Sequence, residues 1–203
     1  MFFSVPLYSQ QIYNISSFYK TKIHIYRLIN ITRRLKRVFK QQNRNHTFML
    51  NSLSIGDQSP NFSGKDQNGK TIQFSDYSGK KLAIFFYPRD LTPTCTTQAC
   101  NIRDGYAVLQ DQGISILGVN DDPEAKHQKF IGKHDLPFPL LADEDKTILN
   151  QFGVWGPKKF MGRTFDGTHR TTFLINEEGK IVDIINKVKA KIHTDQILEG
   201  FAK

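Results

Sequence analysis

The chain has 203 residues, enough for one domain with a sizeable hydrophobic core. Its net charge of +9 would suit nucleic acid or an anionic membrane as partner. However, the whole excess lies in residues 1–48, which hold nine Lys and Arg and no Asp or Glu. In residues 49–203 the other 19 basic residues balance all 19 acidic ones, so we predict a neutral domain that does not bind nucleic acid.

The basic extension, residues 1–48, lacks the patterning of a folded domain and is expected to be disordered or helical. It is Arg-bearing and free of acidic residues, as in a mitochondrial or plastid transit peptide. Residues 23–39 also match a basic amphipathic helix that attaches to a membrane surface. The third interpretation, which we favour, is that translation starts at Met49. No apolar run approaches the roughly 18 residues that span a bilayer, so no stable membrane insertion is expected.

The first part of the domain carries turn signals and no obvious chemistry. Residues 66–70, Asp-Gln-Asn-Gly-Lys, predict a hairpin turn, and residues 71–74 predict a short strand. Residues 82–87, Leu-Ala-Ile-Phe-Phe-Tyr, form an unbroken apolar run that predicts a strand buried on both faces. Pro88 ends regular pairing, and residues 89–93 have the composition of a loop.

A helix is predicted from Thr94 onwards, because apolar residues recur at spacings of three and four. They are Cys95, Ala99, Ile102, Tyr106 and Leu109. Cys95 therefore falls in the first turn of a helix that follows a central strand, which is where α/β sheets build their sites.

A thiol at that position is favoured as a thiolate. A free cysteine has a pKa of roughly 8.5, so only about 3% is ionised at neutral pH. The unpaired N–H groups and dipole of a helix N-terminus stabilise the thiolate, which is the nucleophile. The hydroxyl of Thr92, three residues earlier, can meet either the sulfur or a substrate oxygen. The alternative is that Cys95 is a small buried hydrophobic residue.

The only other cysteine is Cys100, five residues further on. On a continuous helix this spacing turns about 140° beyond one revolution and rises about 7.5 Å, so the two side chains point apart. A disulfide then requires the first turn to unwind. We therefore predict a redox pair whose oxidation is coupled to local unfolding. A structural disulfide or half of a tetrahedral metal site fits this spacing less well.

The next elements are predicted to be structural. Residues 114–119 predict a second buried strand, and Asp121, Asp122 and Pro123 predict an N-cap followed by a helix to about His134. Residues 136–141 predict a peripheral strand, because they include two prolines. The acidic triplet at residues 143–145 is expected to supply charge at the N-terminus of a helix over residues 148–152, and not to bind a metal.

Residues 156–170 are predicted to form a loop rich in Gly, Lys and aromatic residues. Trp155, Phe160 and Phe165 are expected to line an apolar surface near the site. Two strands flanking a Gly-containing turn, at residues 171–175 and 181–185, and a closing helix at residues 193–201 complete the predicted elements. Together they predict an α/β sandwich with a mixed sheet.

A resemblance to the peroxiredoxins rests on several of these segments. Pro88, Thr92 and Cys95 fit the pattern P-x-x-x-T-x-x-C, and residues 86–100, FYPRDLTPTCTTQAC, resemble the Q-type branch, also called bacterioferritin comigratory proteins. The resemblance runs from about residue 53 to the C-terminus and includes FGVWG, MGRTFDGTHR and TTFLI, which together span residues 152–156 and 161–175. The family more often has Gly in place of Thr94 and Glu in place of Gln98.

The resemblance implies a thioredoxin-like α/β fold and a thiol peroxidase of hydroperoxides. Its peroxidatic residue would be Cys95 and its resolving residue Cys100, with Thr92, Pro88 and Arg170 in the active site. It implies no cofactor or metal, thioredoxin or glutaredoxin as reductant, and a monomer. Sparse, redox-active cysteines suit a reducing compartment, so we expect the cytoplasm, or a mitochondrion or plastid if the extension is a transit peptide.

Two other functions remain open at this stage. A thiol–disulfide oxidoreductase would use the same pair of cysteines, although the chain lacks the C-x-x-C motif. A non-enzymatic module would instead use the basic extension to bind membrane or nucleic acid, and its thiols would be incidental.

Overall fold

A computed structural model of the protein describes residues 53–160 and 162–203, without the side chain of Phe160. The predictions for the extension, residues 1–48, and for Met49 lie outside the described residues. The described strands are β1 (Ser63–Asp66), β2 (Thr71–Gln73), β3 (Lys81–Phe86), β4 (Ile114–Asn120), β5 (Leu140–Ala142), β6 (Trp155–Phe160), β7 (Arg163–Thr168), β8 (Thr171–Ile175) and β9 (Ile181–Ile185). The described helices are α1 (Pro93–Asp104), α2 (Tyr106–Asp111), α3 (Glu124–His134), α4 (Thr147–Gln151) and α5 (His193–Phe201), with short 3₁₀ turns at Phe74–Tyr77 and Ala190–Ile192.

One mixed sheet of seven strands organises the domain, in the order β2-β1-β5-β4-β3-β8-β9. Its centre, β3, β4 and β5, is parallel, whereas β8 and β9 on one side and β1 and β2 on the other pair antiparallel. The predicted α/β architecture is therefore confirmed. None of the described helices is long and apolar enough to cross a bilayer.

The central strand β3 is buried on both faces, as its unbroken apolar sequence predicts. Because side chains alternate along a strand, Ala83, Phe85 and the following Tyr87 face one core and Leu82, Ile84 and Phe86 face the other. The first core also contains buried residues of the helices α1, α2, α3 and α5, namely Cys95, Ala99, Ile102, Leu109, Phe130 and Ile197. The second core contains Ile148 and Leu149 of α4 and a cluster of aromatic rings around Phe152.

The helix predicted as continuous from Thr94 to Leu109 is in fact two helices joined at Gly105. A Cβ atom at Gly105 would lie 2.3 Å from the side chain of Thr194, so glycine permits a close approach by the first turn of α5. That approach is fixed by Asn101, whose side-chain oxygen accepts from the Thr194 N–H at 2.8 Å. The tertiary contact with α5 explains why the apolar spacing continues across a break in the helix.

Three other predictions about local structure were wrong. Helix α3 begins at Glu124 with Pro123 as its N-cap, because the Asp122 carboxylate is engaged elsewhere. Strand β5 is internal and not peripheral: its two prolines, Pro137 and Pro139, precede it, which frees Leu140–Ala142 to pair with both β4 and β1.

The segment predicted as a loop over residues 156–170 is largely an antiparallel hairpin, β6–β7. In its register Trp155 is opposite Thr168, and Phe165 is opposite Lys158. Trp155 and Phe165 therefore lie on opposite faces of the hairpin, because the side-chain period of a strand is two. Trp155 packs against the second core under the Lys146 ammonium, whereas Phe165 is half-exposed. The predicted shared aromatic surface is not formed by these two residues.

Candidate active site

Cys95 is the third residue of α1, directly beyond the carboxyl end of β3. Its side chain is buried, with 2% of its surface exposed, and packs in the first core with Tyr87 and Ala99. The helix begins with Pro93, and its N-cap is Thr92, whose backbone is extended. The predicted placement of the thiol, inward-facing in a first helical turn, is confirmed.

Arg170 brings a cation to this thiol from the other side of the site. It lies in the short connection between β7 and β8, next to the central strand because β8 pairs with β3. Its Nη2 donates to Cys95 Sγ at 3.0 Å. A guanidinium N–H at this distance stabilises a thiolate, which accepts the hydrogen bond with a full negative charge. The structure thus brings together two of the residues that the family resemblance placed in one active site.

Gln98 holds Arg170 in that position. It lies one turn after Cys95, is fully buried, and its Oε1 accepts from Arg170 Nη1. Its Nε2 has no hydrogen-bond partner among the described residues. The guanidinium is therefore shared between the Gln98 oxygen and the Cys95 sulfur, and its plane is fixed by both. In the sequence, Gln98 stands out only as a departure from the family pattern, which more often has Glu at this position.

Pro88 and Thr92 lie at the two ends of the loop that leads into α1. Pro88 is half-buried at the end of β3, and Thr92 caps the backbone start of the helix. The Thr92 hydroxyl donates to the Arg89 carbonyl oxygen at 3.0 Å. Its one proton is thereby occupied, so towards a substrate this hydroxyl is an acceptor.

Cys100 is a free thiol on the same helix, half-buried and one and a half turns beyond Cys95, which is also free. Its Sγ lies 3.9 Å from Nδ1 of His134, the last residue of α3. Arg103 anchors that end of α3, because its Nη1 donates to the His134 carbonyl oxygen at 2.7 Å. The two thiols therefore occupy separate environments, as the spacing on a continuous helix predicts.

Lys158 is a further charged residue of the site that the sequence analysis missed. It lies on β6, and its Nζ donates to the Thr168 carbonyl oxygen at 2.8 Å. Burial lowers the pKa of Lys158, the positive charge of Arg170 lowers it further, and Cys95 opposes both effects. Burial and the nearby Lys158 charge likewise lower the pKa of His169. The pairing of β6 with β7 creates this proximity, and only a correct hairpin prediction would have indicated it.

The described residues contain no group of three or more His, Cys, Asp or Glu side chains arranged to hold a metal ion. The donors that converge on the Cys95 sulfur are a guanidinium and a helix N-terminus, and both favour anionic sulfur and oxygen. What this arrangement can do chemically is keep a thiolate reactive and bind an oxygen-rich, polar substrate next to it.

Comparisons with known proteins agree with this chemistry. Residues 55–184 match the model of the AhpC/TSA family. Over 150 residues the chain is 49% identical to the putative peroxiredoxin bcp of Haemophilus influenzae, and this match covers 74% of this chain and 97% of that protein. It is also 40% identical to the peroxiredoxin Bcp of Bacillus subtilis over 148 residues, which are 73% of this chain and 94% of that protein.

Solved structures give the same result. Peroxidoxin BcpB of Mycobacterium tuberculosis superposes with a TM-score of 0.66 at 32% identity, covering 74% of this chain and 97% of that one. The bacterioferritin comigratory protein of Xanthomonas campestris, described for its alkyl peroxide reduction activity, gives 0.65 at 31% identity over 70% of this chain and 90% of that one.

A buried thiol at the start of a helix, in contact with an arginine from the connection before β8, together with these relatives identifies a thiol-dependent peroxidase. The chain belongs to the AhpC/TSA family, within its Bcp or Q-type peroxiredoxin branch. It is an oxidoreductase that reduces hydroperoxides at the expense of a thiol reductant. The predicted thioredoxin-like fold is confirmed by the same neighbours.

Proposed function

We propose that Cys95 is the peroxidatic cysteine and Cys100 the resolving cysteine of a thioredoxin-dependent cycle that the two thiols complete within one chain. The observation that carries this assignment is the 3.0 Å contact from Arg170 Nη2 to Cys95 Sγ in the first turn of α1. It joins two structural features, a helix N-terminus and a guanidinium, that each stabilise a thiolate.

In the first step the Cys95 thiolate attacks the terminal oxygen of the hydroperoxide. A sulfur–oxygen bond forms and the oxygen–oxygen bond breaks, giving a sulfenic acid on Cys95 and an alkoxide or hydroxide that takes a proton to leave as alcohol or water. Arg170 and the N–H groups of the first turn stabilise the charge that develops on the leaving oxygen. The Thr92 hydroxyl donates its own proton to the Arg89 carbonyl oxygen, so its oxygen accepts the hydrogen bond of the peroxide O–H.

In the second step the first turn of α1 unwinds and the Cys100 sulfur attacks the sulfenic sulfur. His134 contacts the Cys100 thiol and is placed to take its proton and pass it on to the leaving hydroxyl. The sulfur–oxygen bond of the sulfenic acid breaks, the hydroxyl leaves as water, and a Cys95–Cys100 disulfide forms. A dithiol protein then reduces this disulfide by exchange.

Thioredoxin is the reductant that we propose, with glutaredoxin as the alternative, and we propose that the protein acts as a monomer. Both reacting sulfurs lie on α1 of a single chain, so no second copy has to supply a thiol. A cycle of this kind operates in a compartment that keeps thiols reduced, and we propose the cytoplasm.

The test uses the full chain with hydrogen peroxide and thioredoxin, thioredoxin reductase and NADPH. We expect Cys95→Ser to abolish peroxide turnover. We expect Cys100→Ser to consume about one equivalent of peroxide per chain and then stop, because its sulfenic acid has no intramolecular partner. Stoichiometry is followed by NADPH absorbance and by intact-mass spectrometry of alkylated samples.

Replacing thioredoxin by glutaredoxin and glutathione in the same assay separates the two reductants. Normal thioredoxin-driven cycling by Cys100→Ser would show that the resolving assignment is wrong. Normal cycling by Cys95→Ser would remove the peroxidatic assignment as well.

A further inference from the structure

A buried polar cluster lies behind the loop that leads from β3 to Cys95. Its centre is Asp90, whose side chain is fully buried and whose carboxylate is surrounded by donors. Oδ1 accepts from the Tyr87 hydroxyl at 2.6 Å and from Asn120 Nδ2 at 3.0 Å, and Oδ2 is 2.7 Å from His127 Nδ1. Since a carboxylate only accepts, His127 donates its Nδ1 proton to Asp90.

A second carboxylate holds the backbone of the same residue. Asp122 Oδ2 accepts from the Asp90 N–H at 2.7 Å, and Asp122 Oδ1 pairs with Lys126 at 2.7 Å. The Asp122 N–H in turn donates to Asn120 Oδ1 at 2.7 Å. Asp90 is therefore fastened by both its side chain and its backbone to the end of β4 and to α3, two elements outside the loop.

The hydrogen bonds of this buried cluster are expected to form or break together. The side chains of Asp90 and His127 have no exposed surface, and His127 Nε2 has no partner among the described residues. In a low-dielectric interior, removing one donor from a buried carboxylate is costly, so such a network tends to be fully made or broken. Burial and the Asp90 charge raise the pKa of Tyr87, which keeps its hydroxyl protonated as a donor.

Two hydrogen bonds connect Arg89, the neighbour of Asp90 in the chain, through Thr92 to the turn that carries Cys95. The Thr92 hydroxyl donates to Arg89 O at 3.0 Å, and the Thr96 N–H donates to Thr92 O at 2.9 Å. Between Asp90 and Thr92 lies Leu91, which is 39% exposed and has a φ of 62°. A left-handed conformation is unfavourable for leucine, so the loop adopts it because its neighbours are held on both sides.

We propose that Asp90 and His127 are positioning residues that keep the loop before α1 in place and the first turn of that helix wound. They thereby set how an oxidised Cys95 divides between two fates. In one, the turn unwinds and Cys100 forms the disulfide with loss of water. In the other, the sulfenic acid attacks a second hydroperoxide, takes one oxygen to become sulfinic acid and releases an alcohol or water. The inference rests on the proposed roles of Cys95 and Cys100.

The test is Asp90→Asn in the full chain. An amide places an NH₂ group opposite at least one of the donors of Tyr87, His127 and Asn120. His127 can accept from that group only by moving its proton to Nε2, where a buried N–H has no partner among the described residues, so the network is weakened. We expect the first reaction with peroxide to slow by about twofold to threefold and disulfide formation to accelerate by about fivefold to tenfold. At high peroxide the sulfinic fraction should fall in proportion. Rapid-quench alkylation with intact-mass spectrometry follows both rates and counts the products.

The opposite signs of the two rate changes distinguish positioning from general damage, which would slow both steps. The matched control is Asp143→Asn, another buried carboxylate, which accepts from Ile148 and Leu149 at the start of α4 and does not contact the loop. We expect it to leave the ratio of disulfide to sulfinic acid unchanged. If Asp90→Asn does not fold, Tyr87→Phe removes a single donor and should move the ratio in the same direction by a smaller factor.

Disulfide formation that is unchanged or slower in Asp90→Asn would overturn the inference, and so would an equal change in Asp143→Asn. The proposed function fails in a different way. If the unsubstituted chain forms no Cys95–Cys100 disulfide under peroxide, the resolving assignment is wrong whatever Asp90 does. If that disulfide forms normally and the Asp90→Asn ratio equals that of the unsubstituted chain, only the positioning role is wrong.

Discussion

At the Cys95 sulfur two kinds of positive potential meet. The helix supplies N–H dipoles that are fixed by its backbone. Arg170 supplies a full positive charge, and Gln98 fixes the orientation of its guanidinium. The dipole alone acts on any residue in a first turn. The guanidinium makes the site specific, because its two Nη atoms reach the sulfur and the buried amide oxygen together.

Arg170→Gln should therefore reduce the rate of reaction with peroxide by about a hundredfold, the usual cost of removing one donor to a developing oxyanion. The second-order rate constant for oxidation of Cys95, measured by competition with a reference peroxidase, is the readout. The control is Arg163→Gln, an exposed arginine on β7 of the neighbouring hairpin, which should change this constant less than twofold. Equal effects of the two substitutions would mean that net charge matters and the contact does not.

At this scale the family resemblance grouped the residues of the site, but did not indicate their contacts. Thr92 and Cys95 fit a spaced motif, and Arg170 was grouped with them because its segment resembles the family's. That the Thr92 proton is taken by the Arg89 carbonyl, or that Gln98 orients the guanidinium, depends on distances of a few tenths of an ångström. Lys158 was missed because its proximity to the site depends on the pairing of β6 with β7.

Among the elements, helix α1 has to be both wound and able to unwind in the cycle that we propose. Its first turn is wound and presents Cys95 to Arg170. In the cycle that we propose, the same turn opens for Cys100 to reach that sulfur, since the two cysteines lie on different sides of the helix. The turn begins with Pro93, whose fixed φ favours the helix start, and continues with the exposed Thr94. Helix propensity at this second position therefore bears directly on how easily the turn opens.

Thr94→Gly should make unwinding easier and Thr94→Ala should make it harder. Glycine is less favourable in a helix than threonine by about 0.4 kcal/mol, and alanine is more favourable by about 0.5 kcal/mol, so each shifts the opening equilibrium about twofold. Disulfide formation after a peroxide pulse, measured by quenched alkylation and mass spectrometry, should change about twofold in opposite directions. Glu199→Gly, at an exposed position of α5, has a similar helix penalty and should leave that rate unchanged. Rates that move together in both Thr94 variants would contradict this.

The elements that could be predicted from sequence are those whose signal is local. Strands β3, β8 and β9 and helix α5 agree with the apolar runs and turns that define them. The β6–β7 hairpin could not be assigned, and the strand predicted over residues 136–141 could not be placed inside the sheet, because Pro, Gly and Lys in and before these strands are typical of loops and sheet edges. The break at Gly105 is likewise set by Thr194, almost ninety residues away.

At the scale of the whole molecule, a buried ionisable residue, His193, bears on the stability of the fold. His193 is the first residue of α5 and has no exposed surface. Its Nε2 is 3.0 Å from the Thr172 hydroxyl and its Nδ1 is 3.4 Å from Gln196 Oε1, so the neutral imidazole accepts from the threonine and donates to the amide. Burial lowers the pKa of His193 to about 4, Gln196 opposes this, and the charge of Arg170 adds to it.

This arrangement predicts how the stability of the protein depends on pH. The unfolded chain protonates this histidine below its ordinary pKa of 6.5, whereas the folded chain resists protonation down to about pH 4. The unfolded state therefore binds more protons within that window, and the free energy of unfolding falls as the pH is lowered from 6.5 to 4. The loss from this one group amounts to about 3 kcal/mol.

Urea unfolding at successive pH values should show this loss, with a maximal slope of about 1.4 kcal/mol per pH unit. His193→Gln removes the titrating group while every other ionisable residue stays, so its stability should be lower at pH 7 and should vary less over the same window. Parallel stability curves for the two proteins would show that His193 is not the group responsible.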